Sequence, residues 1–114
     1  MSIIKSIESY RPLCDDSIIN PAIEIARYAE ENGLVDIDAN LSLDDIALFM
    51  GNPIKKCRYI FMTIYKGSDY HIFTFYYGNP IEYTEAIDGH IPISKDLIST
   101  LHAKEIINDI ARHN

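Results

Sequence analysis

Along this chain the spacing of apolar residues shifts from a helical period to a strand period and back. From Pro21 to Asn32, Ile23, Ala26 and Ala29 recur on one stripe with Ala22 and Ile25 beside it. Glu24, Arg27 and Glu31 fall on the other side. That is the pattern of an amphipathic helix, with Asn20-Pro21 as its start signal and Gly33 as its stop. Leu34 to Leu41 alternates briefly, with Leu34, Val35 and Ile37 set against Asp36 and Asp38, and reads as a connector or one short strand. Ser42-Leu43-Asp44-Asp45 then resembles a capping box with Asp45 in the usual Glu position. Leu43, Ile46, Ala47 and Met50 follow at helical spacing up to Gly51, which predicts a second helix of two turns.

The period changes after Cys57. In Arg58 to Lys66, Tyr59, Ile60, Phe61, Thr63, Ile64 and Tyr65 are β-branched or aromatic, the types that suit a pleated surface. Gly67-Ser68-Asp69 is a turn signal. Tyr70 to Tyr77 is again β-rich, Gly78-Asn79-Pro80 turns the chain, and Ile81 to Ile87 alternates in part. These runs predict a three-stranded antiparallel β-meander. Both faces of its first two strands are apolar, so helices should cover one face and other parts of the chain should shield some of the second. Asp88 to Pro92 reads as a loop, and Ser94 caps a helix over roughly residues 95–112. Leu97, Ile98 and Leu101 make one stripe of that helix. Ala103, Ile106, Ile107, Ile110 and Ala111 make another, displaced by more than a quarter turn. Either the helix breaks near His102 or it buries two faces. The second arrangement suits a homodimer formed through the C-terminal helix. The fold class expected is α+β: two N-terminal helices, the meander, and a C-terminal helix packed on the sheet, in a single domain over residues 1–114.

Size and composition change this picture little. With 114 residues, 47% hydrophobic and 24% charged, the chain matches an ordinary globular domain that needs no staple to fold. Neither a signal core nor a run of about 20 apolar residues is present, so no membrane association is expected. Cys14 and Cys57 stand far apart and read as reduced thiols, which places the protein in the cytoplasm.

Candidate chemistry is sparse. His71, His90, His102 and His113 lie at no metal-ligand spacing with each other or with cysteine. His102 and Glu105 are three apart, as on many solvated helix faces. Asp36-Ile37-Asp38 aligns two carboxylates, too few oxygens for a cation. Cys57 between Lys56 and Arg58 would be an acidic thiol if exposed, but a buried small hydrophobe is the plainer reading. There is no phosphate-binding glycine loop and no nucleophile elbow. No catalytic residue, metal or cofactor is assigned, and the chain is not expected to be an enzyme.

Charge layout carries more. Seventeen acidic and ten basic residues give a net charge of −7. Glu30, Glu31, Asp36, Asp38, Asp44 and Asp45 fall in a stretch without Lys or Arg, and Lys55, Lys56, Arg58 and Lys66 fall in one without acids. Most of the aromatic residues lie between Tyr59 and Tyr83, with more tyrosines than a core readily satisfies. The expected function is that of a small acidic protein-binding inhibitor or adaptor, of the immunity, antitoxin or anti-defence type. It would dock a basic partner such as a nuclease toxin or a nucleic-acid-binding complex. The acidic residues would steer and Tyr65, Tyr70 and Tyr76 would anchor.

The alternative is a DNA-binding regulator. Over about 20 residues, Ala47, Gly51 four later, and Cys57 and Ile60 at the next apolar positions resemble a helix-turn-helix, with Ile46 and Met50 at the first helix's buried sites. Pro53 would open a recognition helix carrying Lys55, Lys56 and Arg58, and the later hairpin would be a wing. Asn52 departs from the pattern, where an apolar residue is usual. This reading also needs Arg58 to Tyr65 to be helical.

Overall fold

A computed structural model describes residues 2–43, 48–49, 52–53, 57–76, 89–93 and 97–112. Helix α1 (Ile3–Glu8) is capped by Ser2, whose side chain accepts from the Ile4 amide at 3.2 Å. Its six residues are too few to show a period in the sequence. Helix α2 (Asp16–Glu31) starts earlier than Asn20-Pro21 suggests. Its N-cap is Asp15, which accepts from the Ser17 amide at 3.0 Å. Pro21 therefore lies inside the helix. The extra turn puts Ile18 and Ile19 in the core, and burying two isoleucines at about 1.5–3 kcal/mol each offsets a proline cost of about 3 kcal/mol. Asn20 serves elsewhere, accepting from Arg11 at 3.3 Å, and Arg11 also bonds Glu8 and Asp16. The Arg11 hydrogen bond holds the Glu8 carboxyl below the usual range. Gly33 stops α2 as expected. At φ 82° its amide bonds Glu30 and the Leu34 amide bonds Ala29, closing a Schellman motif.

Strand β1 (Ile37–Leu43) pairs antiparallel with β4 (Cys57–Lys66), and β4 pairs antiparallel with β5 (Asp69–Tyr76). The β4–β5 hairpin closes at Lys66 and Asp69 around Gly67, whose φ of 62° suits a tight turn. Between β1 and β4, strands β2 (Leu48–Phe49) and β3 (Asn52–Pro53) form a separate antiparallel pair. The helix predicted from Ser42 to Gly51 is thus corrected at both described parts. Ser42 and Leu43 belong to the β1 ladder, and Leu48–Phe49 is a strand. An isolated two-turn helix is marginal in water and loses to a ladder of seven paired positions. Asn52-Pro53 does not open a helix either.

The sheet is mixed, in the order β1-β4-β5-β6. Strand β6 (Ile91–Ile93) pairs parallel with β5, where a loop was expected. The predicted strand from Ile81 to Ile87 lies outside the described residues. The architecture is α+β, but it is not the three-stranded antiparallel meander read from the sequence.

Helix α3 (Leu97–Arg112) is unbroken at His102. Thr100, Ala103, Ile107 and Ile110 make one buried stripe, while Leu101 is 50% exposed. Lys104 bonds Glu24 at 3.0 Å and lies over the Tyr28 ring, and the Tyr28 hydroxyl donates to Asn108 at 2.8 Å. These contacts clasp α2 to α3. The two helices lie on one face of the sheet, against Ile60, Met62, Ile64, Phe73, Phe75 and Ile93. From β4, the Lys66 ammonium donates to the Ile110 and Ala111 carbonyls at 3.0 and 2.9 Å, satisfying the C-terminal end of α3.

Cys14 is buried in this core and disulfide-bonded, which corrects the reading of reduced thiols. The other cysteine of the chain is Cys57. No helix among the described residues is long and apolar enough to cross a membrane.

Candidate protein-binding surface

The strand ladder determines which of the expected anchors share a surface. Direct partners in a sheet point to the same side. Asp38, Thr63 and Ile72 stand in one row of the outer face, the face away from the helices. Tyr65 and Tyr70 are paired in the next row, with ring centroids 6.5 Å apart. Asp36 lies opposite Tyr65, whose amide donates to its carbonyl at 2.9 Å. In the other direction come Asn40, Phe61 and Thr74, then Tyr59 and Tyr76.

Burial runs along this face as a gradient. Thr74 is fully buried, its hydroxyl 2.9 Å from His90 Nδ1, and the His90 ring meets the Phe61 ring edge-on at 5.4 Å. Tyr76 is only 4% exposed. At the hairpin end Tyr65 is 38% and Tyr70 63% exposed. Strand alternation gives all these tyrosines one face, but only position along the strand separates core from surface.

Comparison with family models, with curated proteins and with solved structures found no match for this chain.

The acidic residues divide among three places. Asp36 and Asp38 are exposed beside the tyrosine pair. Glu30 is half-buried and lines an open pocket of ≈ 310 Å³ together with Asp38, Tyr10, Val35 and Ile37. Glu31 is exposed at the end of α2. Both glutamates occupy the last turn of that helix, which carries no basic residue. The helix dipole favours cations there. Asp44, Asp45, Lys55 and Lys56 lie outside the described residues.

Arg58 sits in β4, and the run from Arg58 to Tyr65 is strand throughout. The recognition helix of the DNA-binding reading does not exist over those residues. Their β-branched and aromatic content already opposed it.

Two features escaped the sequence reading. Asn40 continues the outer-face series of Asp36 and Asp38, a period-two signal visible in Asp36-Ile37-Asp38-Ala39-Asn40-Leu41. Val35, set with Leu34 and Ile37 on the apolar side of the alternating run, is 82% exposed at the pocket. No local pattern marks it as exposed.

Proposed function

We propose that this protein is a small acidic inhibitor or adaptor that docks a basic, nucleic-acid-handling protein through the hairpin end of its outer sheet face. One observation carries the reading: Tyr65 and Tyr70, both solvent-exposed, sit beside Asp36 and Asp38. Exposed paired tyrosines suit interface anchors, since they bring large contact area at low entropy cost. Flanking carboxylates on a chain of net charge −7 suit steering of a positive partner.

The test is capture of the partner from the native source, followed by kinetics. Replacing Asp36 and Asp38 together by Asn should slow association and flatten its dependence on salt. Replacing Tyr65 and Tyr70 together by Ala should speed dissociation by about 30-fold or more, the usual weight of anchor residues. Equal affinity of the tyrosine variant and the native protein for every captured basic partner would refute this reading. Strong, salt-sensitive binding to random duplex DNA, lost on replacing Lys55, Lys56 and Arg58 by Gln, would instead favour DNA recognition.

A further inference from the structure

The free edge of β1 has a polarity that the ladder lets one derive. In an antiparallel pair, bonded and non-bonded positions alternate. The bond from the Tyr65 amide to the Asp36 carbonyl makes that a bonded position. By register, Asp38 and Asn40 also turn their backbone groups toward β4, and Ile37, Ala39 and Leu41 turn theirs outward. Strand β1 is at the end of the sheet, so these groups face no strand among the described residues. Among the described residues, the one bond reaching them comes from the Tyr10 hydroxyl, which donates to the Ala39 carbonyl at 3.1 Å.

Alongside this edge opens the pocket that Glu30 and Asp38 line. None of its lining residues is Lys or Arg. Lys5 and Arg27 are the nearest cations in sequence to its lining residues on α1 and α2, and both are exposed outside it. Val35 adds an exposed apolar side chain at the rim.

We propose that the outward edge of β1 accepts an extended basic segment of a protein partner as an added strand, with one Lys or Arg of that segment seated in the pocket beside Glu30 and Asp38. The proposal rests on the reading of a basic partner and adds how that partner is held. Strand addition takes its affinity from main-chain bonds and its specificity from pockets for alternate side chains. Charge selects the occupant. A second copy of this chain would bring another net charge of −7 and its own Asp36 and Asp38 to the same edge, which like-charge repulsion disfavours. The incoming strand would replace Tyr10 at the Ala39 carbonyl, so the Tyr10 hydroxyl is its built-in competitor.

The experiment uses the full chain, isotope-labelled, with a capped seven-residue peptide of alternating lysine and valine as probe and its glutamate-valine counterpart as control. Amide hydrogen exchange is read residue by residue. Saturation with the basic peptide should slow exchange at Ile37, Ala39 and Leu41 by about tenfold or more, leaving the already bonded Asp38 and Asn40 nearly unchanged. Glu30→Gln should weaken the peptide by about tenfold, and Tyr10→Phe should tighten it, each with the native spectrum retained. Unaltered or uniform slowing across β1, or equal slowing by the glutamate peptide, overturns the proposal. So does the alternating pattern arising without peptide as protein concentration rises, which would name a second copy as the occupant. If a captured basic partner perturbs Tyr65 and Tyr70 while β1 exchange stays unchanged, the edge proposal fails and the outer-face reading stands. If no basic partner binds, both fail.

Discussion

At the scale of single residues, burial rather than type decides what a side chain contributes. Tyr65, Tyr70 and Tyr76 lie on one face of one hairpin, and only the first two reach solvent. Cys14 makes the same point. Sequence context read it as a thiol, yet it is buried and bonded, and bonding depends on which residues the fold brings within about 6 Å. Protein isolated without reductant should therefore take up no alkylating agent after denaturation, as read by mass spectrometry. Cys14→Ser should lower unfolding free energy by about 2–5 kcal/mol. Quantitative alkylation of both cysteines under air-free isolation would restore the reduced reading.

At the scale of elements, the ends matter most. Asp15 rather than Asn20 begins α2, and Gly33 ends it where the spacing predicts. The end of α3 relies on a residue far away in sequence, Lys66, whose ammonium bonds two terminal carbonyls. Lys66→Met keeps the apolar stem and removes the charge. It should cost about 1–2 kcal/mol in chemical denaturation and speed amide exchange in the last turn of α3 before other parts of the helix. A uniform change in exchange would mean that Lys66 does not act as a cap. Elements with many local repeats of their period were readable: most of α2, β4, β5 and most of α3. Those of two or three residues, β2, β3 and β6, were not, because so short a segment carries no period and forms only when a partner strand pairs with it.

At the scale of the whole molecule, one layer of helices covers one face of a mixed sheet, and the helix-facing side chains of β4 and β5 join them. Phe73, fully buried at the centre, contacts this shared core. Phe73→Ala should lower stability by about 3–5 kcal/mol, a large part of the 5–15 kcal/mol typical of a domain. The loss should register equally by helix and aromatic signals in one cooperative denaturation. Separate transitions would show that helices and sheet do not share a core.

Local chemistry determined the α+β class, the hairpin between Lys66 and Asp69, the C-terminal helix and the acidic excess. Each follows from residue period, turn residues or charge within a short window. The candidate surface was half legible: Asp36, Asp38, Tyr65 and Tyr70 stood out by type, but nothing in the chain placed the two pairs together. The β1–β4 register did that, by pairing residues more than 20 positions apart. Only the tertiary structure decided the parallel β6, the bonded state of Cys14, the burial of Tyr76 and the outward edge of β1. All four depend on which distant segment lies alongside, a choice made by the packing of the whole core and not by any local propensity.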